Sequence, residues 1–249
     1  MLSGAMPRLH VDLEEIVLWQ DEALLAVNKP AGIAVLAEGW DAQKPYLTGL
    51  LGQRFGRLWT VHRLDKDTSG VLLLARTAQA HRALNIQFEQ RRVGKAYHVL
   101  VVGQPDWQER WVRLPLRTNG DRRHRTVVDL EGGKPCETEF HLLEGFGGYA
   151  LIEAILHTGR THQIRAHLAA ISLPVVADAL YGDGQPLPSY PAESRPCMGE
   201  DRKLPVLERT GLHARRLVLE HPVSRQNLEL EAPYPPDFDQ ALAYLRSVC

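Results

Sequence analysis

The chain has 249 residues and a mass of 28.0 kDa, enough for one large domain or two modest ones and too long for a disulfide-stapled mini-scaffold. Its 44% hydrophobic and 24% charged residues lie near the globular average, which excludes a disordered, fibrous or coiled-coil chain. With 29 Lys and Arg against 30 Asp and Glu the formal charge is -1, so any electrostatic partner has to be read from local patches.

Met1 to Trp19 carries Arg8, Asp12, Glu14 and Glu15 and no continuous apolar run, so no secretory signal is expected. Strand-like runs follow at Leu24 to Asn28, Gly70 to Ala75, Ala96 to Val102, Thr138 to Leu143, Ala150 to Leu156 and Leu217 to Glu220. Between the second and third, Thr77 can cap a helix whose apolar residues Ala80, Leu84 and Phe88 recur every four positions. A helix beginning at Thr161 would bury Ile164, Leu168 and Ile171, and a last one from Asp237 to Val248 would be capped by Asp237 and bury Phe238, Leu242 and Leu245. Strands and helices do not alternate strictly, which predicts an α+β fold with a mixed, mostly antiparallel sheet rather than a doubly wound one.

Pro186, Pro188, Pro191 and Pro196 make the stretch from Gly184 to Pro196 an extended surface loop in expectation. The apolar stretch Leu168 to Ala177, interrupted by Ser172 and Pro174, is too short to cross a bilayer, so no membrane is expected as a partner. Cys136, Cys197 and Cys249 are odd in number and widely spaced, fitting neither a disulfide framework nor a zinc site and pointing to a reducing, cytoplasmic compartment.

Charge is uneven. Asp12 to Asp41 holds one Lys against seven acids, whereas Arg110 to Arg125 holds six Arg against the single acid Asp121. That second window is dense enough to grip several phosphates, or it is a solvated hairpin; the count alone favours neither. The most loaded segment is His62-Arg63-Leu64-Asp65-Lys66-Asp67-Thr68-Ser69-Gly70, which leads into an apolar strand. Asp65 is a candidate nucleophile or base beside Arg63 and Lys66, and Asp67 is its equal on chemistry alone; the bland alternative is a turn whose side chains satisfy loop amides. A second cluster, His157 to His167, passes through Gly159 into a helix start that favours anions, with Thr158 or Thr161 as cap and Arg165 one turn in. Its three histidines, five apart, do not share a helix face, so no metal is expected. Tyr97 reads by default as a core tyrosine, sharing a strand face with Val99 and Val101.

Taken in order, the motifs resemble the RluA family of RNA pseudouridine synthases. They are Asn28-Lys29-Pro30-x-Gly32, the His62 to Gly70 loop, Lys95-x-Tyr97, Gly133-Lys134-Pro135, Thr158 to Arg165, Asp178-x-x-Tyr181-Gly182 and Leu212-His213-Ala214. The resemblance spans roughly Leu24 to Phe238. Departures are Ser172 and Ala177, where the family usually has glycine. The resemblance implies a fold whose sheet, helices and loops surround an RNA-binding cleft, and an enzyme that isomerises uridine in RNA to pseudouridine with no cofactor. It assigns catalysis to Asp65, an ionising partner role to Arg165, and stacking on the uracil with help in proton transfer to Tyr97. Ile164 would pack the base's other side and Arg63 would fill the vacancy left by the flipped nucleotide. Lys29 and Arg160 would contact phosphates, and Arg122, Arg123 and Arg125 would belong to a clamp on the backbone of an rRNA or tRNA stem-loop.

A single catalytic domain is expected over residues 1–249, its core running from about 16 to about 245. No separate N-terminal RNA-binding domain is expected, and the protein is expected to work as a monomer. Two other readings stay open: a catalytically inactive RNA-binding module of the same fold, and a metal-dependent phosphoesterase built on His62, Asp65 and Asp67.

Overall fold

The computed structural model describes residues 12–37, 44–187 and 205–248. The strands are β1 (Val17–Gln20), β2 (Leu24–Lys29), β3 (Trp59–Thr60), β4 (Ser69–Ala75), β5 (Gly94–Val102), β6 (Glu109–Val112), β7 (Leu116–Arg117), β8 (Val127–Val128), β9 (Thr138–Gly145), β10 (Tyr149–Leu156), β11 (Leu212–Glu220) and β12 (Asn227–Glu231). The helices are α1 (Leu47–Phe55), α2 (Ala78–Glu89), α3 (Gln163–Ala170) and α4 (Pro236–Val248). Ten strands form one sheet in the order β1-β2-β4-β11-β5-β10-β9-β6, with β12 added to β11 and β3 to β4, while β7 and β8 form a separate hairpin. Among the described residues only β4 and β11 run parallel; the other named pairs are antiparallel, and the α+β, mostly antiparallel fold expected from the sequence is the one observed.

Alternation along the central strands explains the packing. On β4, Val71, Leu73 and Ala75 meet Ala80 and Leu84 of α2, whereas Leu72 and Leu74 meet Leu47 and Leu51 of α1. On β5, Val99 and Val101 join Ile164 and Leu168 of α3, while Leu100 joins Phe238 and Leu242 of α4. Both halves of the sheet are therefore covered, and Tyr97 packs against the α1 cluster and the α3 cluster at once.

Several expected details differ. The helix α1 escaped the sequence reading: Tyr46 at its N-cap makes no side-chain bond, so no start signal is present. Thr77 does cap α2, accepting from Ala80 N–H. The last helix starts one residue earlier than Asp237, because Pro236 already has a helical φ and Pro235 O accepts from Phe238 and Asp239. At α3 neither Thr158 nor Thr161 caps. His162 holds the N-cap with a left-handed φ of 55°, and Gln163 folds back so that its Oε1 accepts from Arg160 N–H and Thr158 Oγ1. The proline-rich loop lies outside the described residues beyond Leu187, which pairs with Leu207. Among the described residues no helix is long and apolar enough to cross a membrane.

Gly70 is required by close approach. Its φ is 112°, and a Cβ there would fall 2.2 Å from Ala214 O, inside the parallel pairing of β4 with β11. The two departures from the family pattern also acquire a physical meaning: Ser172 has φ 63° and Ala177 has φ 56°, both in the left-handed region that glycine occupies at no steric cost. Ala177→Gly is accordingly expected to stabilise the fold by about 0.5–1 kcal/mol in urea unfolding, since the relief of left-handed strain exceeds glycine's extra chain entropy.

Candidate active site

Strand ends from both halves of the sheet open into one cleft of about 820 Å³, a size suited to a small ligand or a single nucleotide. The loop that carries Asp65 enters β4 through Gly70 and is anchored from several sides. Lys29 Nζ donates to Lys66 O at 2.9 Å and to Pro30 O at 2.8 Å, and Gly32 N–H donates to Lys66 O. Arg209 donates to Asp67 O while its guanidinium is forked onto Asp237 of α4. Ser69 and His213 meet at 2.9 Å; His213 Nε2 faces Ala232 O, so Nδ1 accepts and the serine hydroxyl donates.

Arg165 lies at the centre of the site. Its Nε and Nη2 reach Asp178 Oδ2 at 2.6 Å and Oδ1 at 2.8 Å, and its remaining Nη1 reaches Asp65 Oδ2 at 3.1 Å. Asp178 is fully buried, whereas the Asp65 side chain keeps 31% exposure toward the cleft. Burial alone would raise the Asp178 pKa, but the Arg165 hydrogen bonds and charge and the Leu180 and Tyr181 amides hold it below its ordinary value. The Tyr181 ring lies 5.0 Å from the Arg165 guanidinium, and its hydroxyl oxygen accepts from Thr126 N–H and contacts His162 Nδ1. His162 Nε2 stands 3.6 Å from Asp65 Oδ2, beyond hydrogen-bond reach.

The structure thus brings Asp65, Arg165, Tyr97, Ile164, Arg63 and Arg160 to the cleft. Tyr97 is half-buried at its wall rather than closed into the core; burial and the Asp65 charge push its phenol above the ordinary tyrosine range, so it is neutral at physiological pH. Arg63 is exposed at the same opening. Lys29 is a correction to the expected phosphate contact: it is wholly buried, it is spent on two carbonyls, and burial draws its pKa down to about 7 against the pull of Asp67 and Asp65.

The arginine-rich window is also less free than its count suggests. Arg113 pairs with Glu137, Arg117 with Asp129 and Arg125 with Asp121. Arg125 is half-buried and donates to Leu180 O, and Arg123 donates to Ala179 O, so these two pin the β7–β8 hairpin beside Asp178. Arg122 remains exposed.

The phosphoesterase alternative loses its geometry. The ring of His62 stacks on Phe88, its Nε2 accepts from Leu73 N–H, and burial with the charge of Lys95 lowers its pKa to about 4. Among the described residues no three His, Cys, Asp or Glu side chains converge to hold an ion. The sequence reading missed Asp178, Tyr181 and His162 as parts of the site. The first two stand in the Asp178-x-x-Tyr181-Gly182 motif, which was a visible signal without a role attached.

Asp178→Asn leaves Arg165 without its buried counter-charge and is expected to cost about 3 kcal/mol of stability. Because the folded pKa of Asp178 is lowered, its contribution is complete above about pH 4 and is lost as pH falls through the folded value. Denaturant unfolding from pH 7 to pH 2 should therefore show a steeper acid loss for wild type than for the variant.

Residues 23–170 match the family model described as RNA pseudouridylate synthase. The chain is 34% identical over 243 residues to ribosomal large subunit pseudouridine synthase D of Pseudomonas aeruginosa, covering 96% of this chain and 74% of the relative. It is 36% identical over 245 residues to ribosomal large subunit pseudouridine synthase C of Vibrio cholerae, covering 94% and 70%. The structure of human RNA pseudouridylate synthase domain containing 4 superposes with a TM-score of 0.71 at 26% identity, covering 94% of each chain. The chain belongs to the RNA pseudouridylate synthase family, as an RluA-type enzyme that isomerises uridine in RNA to pseudouridine.

Proposed function

We propose that the cleft receives a uridine flipped out of a structured RNA and that Asp65 is the catalytic group. The observation that carries this reading is the tethering of one Asp65 oxygen by Arg165 while the carboxylate remains open to the cleft beside Tyr97. The reaction breaks the bond from uracil N1 to the sugar and forms one from C5; C5 gives up a hydrogen, N1 gains one, and nothing is oxidised. Asp65 can serve by attack on the base or the sugar, or by stabilising the detached intermediate. Tyr97, a neutral phenol on the cleft wall, stacks on the uracil, with Ile164 on the other side. Arg165 aims Asp65 through its Nη1 contact.

Arg63, exposed next to the site, is placed to enter the stack that the uridine leaves. Arg160 and Arg122 are the basic groups best placed for backbone phosphates, with Arg123 and Arg125 acting mainly to hold the hairpin that presents Arg122. The names of the two bacterial relatives favour ribosomal RNA over transfer RNA as the substrate, and a short stem-loop suits recognition by one catalytic domain. The single sheet that carries every described strand except β7 and β8 supports that one-domain reading. Three scattered cysteines support a cytoplasmic setting, and we take the working form to be the monomer.

Asp65→Asn tests the assignment. Single-turnover formation of pseudouridine on large-subunit rRNA transcripts, mapped by site, should fall by at least about a thousandfold, while the affinity for the same RNA stays within about twofold because the carboxylate contributes chemistry rather than phosphate contact. Parallel loss of both would remove Asp65 from the catalytic role.

A further inference from the structure

The cleft also holds cations that the chemistry at Asp65 does not use. Lys95 precedes Tyr97 by two residues on β5, so the two side chains leave the same face of the strand about 7 Å apart. Both line the cleft. Among the described residues the Lys95 ammonium has no hydrogen-bond or ion-pair partner, and a Cβ placed on Gly159 would lie 3.5 Å from Lys95 Nζ, so the ammonium stands directly over the turn that leads into α3. The next residue in that turn, Arg160, has its Nε buried without an acceptor. Arg91 lines the same end of the cleft from the α2–β5 turn, where its backbone is left-handed at φ 56°. Among the described residues lining the cleft the acids are Asp65 and Glu89, and Glu89 forms no ion pair there with any of the three. Burial and the Arg91 charge together hold the Lys95 pKa below the lysine range, as expected where like charges are drawn together away from water.

Such an arrangement costs free energy in the empty protein and is relieved by an anion. We propose that Lys95, Arg160 and Arg91 form a subsite for one phosphodiester phosphate, the phosphate adjoining the uridine that lies over Tyr97. This rests on the reading of the cleft as the uridine site. A phosphate one sugar away from a base stacked on Tyr97 falls over Lys95, and its oxygens supply the acceptor that Arg160 lacks once the guanidinium turns toward it. The subsite thereby fixes the register of the RNA strand: it holds the flipped nucleotide by its own backbone, which leaves the base free to rotate between cleavage and rejoining.

The test is calorimetric titration of the whole protein with uridine 3′,5′-bisphosphate and with uridine, at low and high salt. Wild type should bind the bisphosphate at least about tenfold more tightly than uridine, as expected for a charge-assisted contact, and the preference should shrink as salt rises. Lys95→Met and Arg160→Gln should each reduce the preference several-fold. Lys95→Met should melt no lower than wild type because it removes a half-buried charge, and Arg160→Gln keeps the test decisive if Lys95→Met does not fold. Equal binding of the two ligands by wild type, binding of neither, or a preference that survives both substitutions would overturn the subsite. A preference lost in both variants, in a protein that makes no pseudouridine, would leave the subsite standing and refute the catalytic reading instead.

Discussion

A guanidinium shared between two carboxylates holds this structure's site together. Arg165 is 8% exposed at its side chain and Asp178 is fully buried, so each is a charge that water cannot stabilise and that only a partner can. The fork between them satisfies that demand with two hydrogen bonds, and the geometry of a planar guanidinium then leaves its last edge pointing at Asp65. A lysine could supply the charge but not the direction. The pairing also sets a division of labour. Asp178 is a permanent counter-ion, with both oxygens engaged by Arg165 and by loop amides, whereas Asp65 gives Arg165 one oxygen and keeps its opening to the cleft.

The rest of the fold serves to bring that triad to one point, because Asp65 lies 100 residues before Arg165 in the chain. Asp65 stands on a loop that ends where β4 and β11 pair in parallel, and Gly70 permits the contact. Arg165 stands on α3, whose polar residues are buried yet satisfied: Gln163 bonds Thr138 and Glu137, and His167 bridges Thr138 and Leu114. Asp178 follows Ala177, whose left-handed backbone turns the chain beneath Arg165. Tyr97, between the two core clusters that line the cleft side of the sheet, marks the seam where the halves meet. Strand β5, helix α3 and an anchored loop thus position Tyr97, Arg165 and Asp65, as a reaction that rotates a base in place demands.

Much of this was legible in the sequence, for identifiable reasons. Long strands such as β4, β5 and β10 announce themselves by apolar runs, and α2 by its cap and four-residue spacing. Two- to five-residue strands such as β3, β7 and β12 carry too few residues for a period to show. The motifs located Asp65, Arg165 and Tyr97, since their order along the chain is distinctive even when each alone is weak. Burial was the part that could not be read. Lys29 belongs to a residue type that is almost always at the surface, and only the folded loop shows it enclosed under Lys66. The charge count of the arginine-rich window could not decide between a phosphate grip and a solvated hairpin because Glu137 and Asp129, the partners of Arg113 and Arg117, lie outside it, and only Asp121, four residues before Arg125, stood in view. Asp178 lay in view within its motif, but its tie to Arg165 exists only in three dimensions.

Arg165 acts by direction and not by charge alone. The measurement that bears on it most directly is single-turnover pseudouridine formation by Arg165→Lys, with RNA affinity and thermal melting recorded on the same protein. We expect a folded variant that binds RNA and has lost turnover by at least about a hundredfold, because an ammonium cannot hold Asp178 and aim Asp65 at once. Turnover near the wild-type rate would show that a positive charge beside Asp65 suffices, and would contradict the account.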